Sequence, residues 1–98
     1  MSTHVVAVIT AQPGSEDAVR DALIALVGPT REEEGCLSYD LSESSVAPGT
    51  FITVEEWSDP SDLDSHLQTE HVQHALGTVG SQLTEPPAIH PLTPIQVG

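Results

Sequence analysis

The segment Phe51–Leu76, FITVEEWSDPSDLDSHLQTEHVQHAL, passes from a strand pattern to a helix pattern within a few residues. Its opening, FITVEEW, is rich in β-branched and aromatic side chains, which predicts a strand. Asp59 is then a good helix N-cap and Pro60 suits the first helical position, so a helix should follow directly. Thr69 is a second candidate cap, which predicts that this helix breaks and restarts.

A strand and a helix are predicted before this segment. The run His4–Thr10, HVVAVIT, is short and β-branched, as is typical of a buried strand. Ser15 can cap a helix, and apolar side chains recur at three- and four-residue spacing as far as Val27. We therefore predict an amphipathic helix, which Pro29 should kink or end because proline lacks the backbone N–H.

A hairpin should connect that helix to the opening segment. The run CLSYDLSES alternates apolar and polar side chains, which predicts a half-buried strand with Leu37, Tyr39 and Leu41 on one face. After a Pro-Gly turn, residues 51–57 form the next strand, with odd-numbered side chains on one face and even-numbered ones on the other. Both of these faces are largely apolar, so we expect both to be covered.

The order of elements predicts the fold class. Residues 87–95 are rich in proline, and Pro91 and Pro94 confine this last predicted strand to a sheet edge. The resulting order, β-α-β-β-α-β, is that of a ferredoxin-like α+β fold with an antiparallel sheet. A length of 98 residues indicates a single domain over residues 1–98, with its core at about 4–77.

Composition narrows the classes of partner. The formal charge is −13, with two arginines and no lysine, so nucleic acid is excluded and an anionic membrane surface is disfavoured. Aromatic residues make up only 3%, which leaves a thin core and raises the expectation of a homodimer. The single cysteine, Cys36, allows no internal disulfide and fits a cytoplasmic location. Its acidic flank should raise the thiol pKa, so we expect a packed residue.

Three segments together resemble the antibiotic biosynthesis monooxygenase domain family. They are QPGSEDAVRDAL after the first strand, EEEGCLSYDL entering the second, and FITVEEWSDPSDLDSHLQTEHVQHAL. The likeness covers roughly residues 4–77 in the family's order. It implies small ferredoxin-like subunits that pair through their sheets into a homodimeric α/β barrel.

The resemblance also implies a set of functions. The first is a cofactor-independent monooxygenase that acts on a quinol or polycyclic phenol with molecular oxygen. The alternative is a non-catalytic small-ligand-binding or stress-associated dimer on the same fold. Haem-degrading relatives use an asparagine on the first strand, a tryptophan ending the third and a histidine on the second helix. Trp57 matches and His74 is a candidate match, but Ala7 stands at the asparagine position, which disfavours haem degradation.

Cofactor-free oxygenation needs a base that titrates near neutral pH, a flat apolar slot and exclusion of water. His66 is the first choice for the base, His71 follows the predicted helix break, and Glu55 could orient a histidine or accept the proton itself. The candidate substrate walls are the aromatic side chains of Trp57, Tyr39 and Phe51. Each of these residues could instead be structural, as a surface or hydrogen-bonded polar group or as part of the core.

A metal site is the remaining alternative. His66, Glu70 and His74 are spaced so that one continuous helix would align them as ligands. The predicted break at Thr69 spoils that alignment, and the chain has no H-E-x-x-H motif and no cysteine pair. We therefore expect no metal and no other cofactor.

Overall fold

The computed structural model describes residues 2–98 and contains the predicted order of elements. In chain order these are β1 (Thr3–Thr10), α1 (Glu16–Arg31), β2 (Cys36–Glu43), β3 (Thr50–Trp57), α2 (Pro60–Leu67), α3 (Glu70–Val79), a short 3-10 turn (Gly80–Gln82) and β4 (Ala88–Pro91). The four strands form one antiparallel sheet in the order β2-β3-β1-β4, which confirms the ferredoxin-like α+β prediction. Within residues 2–98, no helix is long and apolar enough to cross a membrane.

The helices cover one face of the sheet. In β3 the odd-numbered side chains from Phe51 to Trp57 share one face, as the two-residue period predicts, and this face is buried. Phe51 packs with Val19 and Leu23 of α1 and with Val72 of α3 in the main core cluster. Trp57 belongs to a smaller cluster with Val5 and Leu63.

The opposite face of the sheet is open within this chain. The side chain of Val54 is 52% exposed, and its cross-strand neighbour Val6 is half-buried, as is Ile52. The expectation that both faces of β3 are covered is therefore wrong for the single chain, because all the helices pack on the other side. This open apolar face is the surface on which a second subunit would have to pack.

Three local expectations are corrected. Helix α1 continues past Pro29 to Arg31, since a proline in the last turn removes only one helical hydrogen bond. Leu37 is 56% exposed because a β-bulge between Cys36 and Ser38 breaks the alternation at this point. Strand β4 is shorter than predicted and pairs with β1 of the same chain.

The predicted helix break is confirmed and determines where two histidines lie. Asp59 accepts a hydrogen bond from the Ser61 N–H at 2.9 Å and begins α2. Thr69 caps α3 by accepting from the Val72 N–H at 3.4 Å. Because the chain changes direction at this cap, His66 near the end of α2 and His71 at the start of α3 both turn towards the loop between α1 and β2.

Candidate functional site

A cavity of about 140 Å³ lies between the sheet and the helices. Its walls are mostly aliphatic, and its polar side chains are Tyr39, Thr53, Glu55 and His66. An apolar cavity of about 150 Å³ is known to hold benzene, so the volume here suits one aromatic ring. A mostly apolar pocket with a few convergent polar groups is typical of a small-molecule site.

His66 is the histidine that lines this cavity, and it is only 4% exposed. Its ring lies 4.9 Å from the Trp57 ring and 5.8 Å from the Tyr39 ring, centroid to centroid. Its Nδ1 atom is 2.7 Å from Oε2 of Glu33. Among residues 2–98 its Nε2 atom has no hydrogen-bond partner, so this nitrogen is available to a ligand.

Glu33 joins the two histidines of the helix break. The same Oε2 atom that contacts His66 lies 2.7 Å from Nε2 of His71. The Glu33 side chain is 12% exposed, whereas Glu32 and Glu34 on either side are exposed. Sequence reasoning missed Glu33, because the run EEEG signals a carboxylate near this point without indicating which of the three turns inward.

Glu55 is buried with both of its oxygens engaged. Oε2 accepts a hydrogen bond from the Thr53 hydroxyl at 2.6 Å, and Oε1 accepts one from the Trp57 indole N–H at 2.9 Å. These two donors compensate for the cost of burying a carboxylate. Within residues 2–98, Glu55 makes no hydrogen bond to a histidine, so its contacts are those of a residue that holds Trp57 in place.

Tyr39 contributes a phenol that stays neutral. Burial raises the pKa of Tyr39, and the nearby carboxylates of Glu55 and Glu33 raise it further. Its hydroxyl has no hydrogen-bond partner among the residues that the structure describes, so it can donate to a ligand in the cavity. Burial also raises the pKa of the Cys36 thiol, with Glu33 adding to the shift, which confirms the expected direction.

The other predicted residues lie behind the cavity or outside it. Trp57 is fully buried and packs with Val5 and Leu63, and it does not line the cavity. Phe51 is in the main core, with the Arg20 guanidinium 5.5 Å from its ring centroid. The structure thus places His66, Glu55 and Tyr39 around one space, and sets Trp57 and Phe51 behind it.

His71 lines a separate groove between α1 and α3, of about 470 Å³, together with Glu70 and His74. Two side chains, Leu26 and Ala75, line both this groove and the cavity. They form a thin wall between the interior and the surface.

The side chains that could ligate a metal and lie close together are not the three that the sequence spacing suggested. His66 lies on α2, whereas Glu70 and His74 lie on α3, so these three do not align. Within residues 2–98, Glu33, His66 and His71 are the set whose ligand atoms all lie within 4.8 Å of one another. The contacts of 2.7 Å between the nitrogens and the carboxylate oxygen are hydrogen-bond distances.

Ala7 stands where haem-degrading relatives carry an asparagine, and its side chain is a methyl group. Ala7 is buried in β1 and lines the cavity. A methyl group cannot donate a hydrogen bond, so the structure offers no amide there.

The sequence matches a known family and several curated proteins. The family model described as antibiotic biosynthesis monooxygenase matches residues 2–77. The chain is 36% identical over 91 residues to the Mycobacterium tuberculosis protein named "Putative monooxygenase Rv0793", covering 93% of this chain and 89% of that protein. It is 33% identical over 79 residues to the Escherichia coli protein named "Probable quinol monooxygenase YgiN", covering 70% of this chain and 76% of that protein.

The fold is similar to that of solved structures over nearly its whole length. The structure of Rv0793 from Mycobacterium tuberculosis superposes with a TM-score of 0.88 at 34% identity, covering 99% of this chain and 98% of that one. The structure of PA3566 from Pseudomonas aeruginosa also superposes with a TM-score of 0.88 at 34% identity, covering 97% of this chain and 95% of that one.

Proposed function

Because this chain belongs to the antibiotic biosynthesis monooxygenase family, we propose that it is a cofactor-independent monooxygenase acting on a small quinol with molecular oxygen. A quinol of one ring is favoured over a polycyclic phenol because the cavity of about 140 Å³ has room for a single ring. One relative carries the name of a quinol monooxygenase, which agrees with this choice.

The observation that carries the proposal is a pair of residues that line an apolar cavity and that each keep one polar group without a partner among residues 2–98. His66 and Tyr39 both line the cavity, and neither the Nε2 atom of His66 nor the Tyr39 hydroxyl has a hydrogen-bond partner among residues 2–98. A quinol presents hydroxyl groups on a flat apolar ring. Its hydroxyls would meet these two groups while its ring lies among aliphatic side chains.

The reaction would begin with a proton transfer. A quinol O–H bond breaks, an N–H bond forms at Nε2 of His66, and the electron pair stays on the substrate oxygen. Tyr39, held neutral, donates a hydrogen bond to the substrate. The electron-rich anion then reduces oxygen directly. One oxygen atom enters the ring, and the other takes up the proton held on His66 and leaves as water, so that a quinol and O₂ yield a hydroxyquinone and H₂O.

The test is oxygen consumption with a panel of hydroquinones and anthrones. We expect uptake with one-ring hydroquinones, and a loss of about 10²–10⁴-fold in His66→Ala, as is typical when a general base is removed. His74→Ala is the matched control, because His74 is exposed on α3 and outside the cavity. Equal rates in wild type and His66→Ala would remove His66 from the mechanism. Ligand binding without oxygen uptake would replace this proposal with a non-catalytic binding function.

We further propose that two copies of the chain pair through the open sheet face. Val54 lies at the centre of that face, on a strand with a neighbour on each side. Light scattering after size-exclusion chromatography should give a dimer for the wild type and a monomer for Val54→Asp. Val46→Asp, with the same change at a loop residue that is 90% exposed, should remain a dimer. A wild-type monomer at all concentrations would contradict the pairing.

A further inference from the structure

We propose that Glu33 is a positioning residue that holds His66 in the tautomer with its proton on Nδ1, and that His71 orients the Glu33 carboxylate. The catalytic consequence rests on the function proposed above. The tautomer itself follows from the hydrogen bonds and can be measured without any substrate.

The chemistry of the carboxylate determines the tautomer. An ionised glutamate can only accept hydrogen bonds, so the ring nitrogen 2.7 Å from Glu33 Oε2 must carry a hydrogen. In His66 this nitrogen is Nδ1. A neutral imidazole has one ring proton, which leaves Nε2 as an acceptor. Since His66 lines the cavity and its Nε2 atom is unused, the lone pair required of a base is available to the ligand.

His71 completes the arrangement from the other side. Its Nε2 atom also lies 2.7 Å from Glu33 Oε2, so by the same argument it donates its hydrogen to that oxygen. Two donors on one oxygen, from α2 and from α3, restrict rotation of the carboxyl group. His71 is 26% exposed and lines the outer groove rather than the cavity. Its contacts are therefore those of a residue that acts through Glu33.

The same contact stabilises the product of proton transfer. When Nε2 of His66 takes the substrate proton, the ring becomes an imidazolium with its Nδ1–H still donated to Glu33. The negative carboxylate 2.7 Å away then faces a new positive charge in a site where both side chains are largely buried. Opposite charges at this distance attract each other, so the contact stabilises the ion pair that proton transfer creates. A carboxylate behind a histidine base has this role in serine hydrolases.

Imidazole ¹⁵N NMR tests the tautomer directly. In wild type we expect His66 protonated on Nδ1 and His71 protonated on Nε2. Glu33→Ala should convert His66 to a mixture of tautomers, and Glu34→Ala, the same change at the exposed neighbour, should leave it unchanged. Wild-type His66 protonated on Nε2, or an unchanged tautomer in Glu33→Ala, would overturn the inference. The wild-type spectrum decides even where a variant fails to fold.

Glu33→Gln separates tautomer from charge. The amide oxygen can still accept from both rings, so we expect the wild-type tautomers to be retained. The negative charge that faces the imidazolium is lost, so oxygen uptake should fall at least about tenfold, which corresponds to about 1.4 kcal/mol in the barrier, with little change in KM. His71→Gln should lower the rate less than Glu33→Gln, and His74→Gln should not change it. A Glu33→Gln variant with the wild-type rate would overturn the charge role. Absence of uptake in the wild type, with the expected tautomers present, would count against the proposed function alone.

Discussion

Removing the carboxylate of Glu55 should destabilise the fold by breaking a buried polar contact set. Glu55 is 5% exposed, and its two oxygens accept from the Trp57 indole N–H and the Thr53 hydroxyl, which are also buried. In Glu55→Ala both donors lose their acceptor. The perturbation therefore acts on stability through buried groups.

The magnitude follows from counting the donors. A buried donor without a partner costs about 1–3 kcal/mol, so two of them cost about 2–6 kcal/mol. Relief from burying a charge offsets part of this, and we expect a net loss of about 3 kcal/mol. For a domain of this size, that is a large share of a typical stability of about 5–15 kcal/mol. It corresponds to a fall in Tm of roughly 12–24 °C, at about 4–8 °C for each kcal/mol.

Thermal unfolding followed by the fluorescence of the single tryptophan measures this effect. Glu55→Gln should lose only about 1 kcal/mol, because the amide oxygen can accept from Trp57 while the amide N–H donates to Thr53. Glu56→Ala is the control. Its side chain lies on the opposite face of β3 and contacts the partly exposed ends of Ser2 and His4, so its effect should stay within about 0.5 kcal/mol. If Glu55→Ala is as stable as Glu56→Ala, the two hydrogen bonds are not holding the indole.

Three further outcomes are expected. Gly35→Ala should lower the free energy of unfolding, measured in urea, by at least about 1 kcal/mol, because φ is +88° and a Cβ would lie 2.3 Å from the carboxyl carbon of an α2 side chain. Gly77→Ala is the control: this glycine lies in a helix with open space around it, so the same change should raise the free energy of unfolding by up to about 1 kcal/mol. Leu26→Ala and Leu23→Ala, both at residues that are 8% exposed, should each lower the free energy of unfolding by about 2–5 kcal/mol. Only Leu26 also lines the groove, so a fluorescence titration should show tighter binding of a two-ring phenol to Leu26→Ala and not to Leu23→Ala. Burial raises the pKa of Tyr39 above its ordinary 10.0, so phenolate absorbance should appear at lower pH in the unfolded chain than in the folded one. Because the folded protein keeps the phenol proton to higher pH than the unfolded chain does, its stability should fall as the pH rises above 10.0. If the phenol titrates at the same pH in the folded and the unfolded protein, the ring is not buried.

Much of the candidate site could be predicted, but only for residues on regular elements. The period of two in β3 correctly placed Glu55 and Trp57 on one face, and the predicted helix break at Thr69 correctly separated His66 from His71. Leu37 escaped prediction because a bulge changes the alternation without a clear local signal. Phe51 and Trp57 were expected at the substrate wall, yet an inward direction does not distinguish a cavity lining from the core behind it.

The sequence by itself determined the order of strands and helices, the caps at Asp59 and Thr69, and the family. These features depend on side-chain period and backbone preference over a few neighbouring residues, so they are readable from local sequence. The tertiary structure alone decided that Glu33, rather than its two neighbours, meets His66 and His71. These contacts join residues 33 and 38 positions apart, and they exist only because the loop after α1 and the start of α3 pack against the same end of α2.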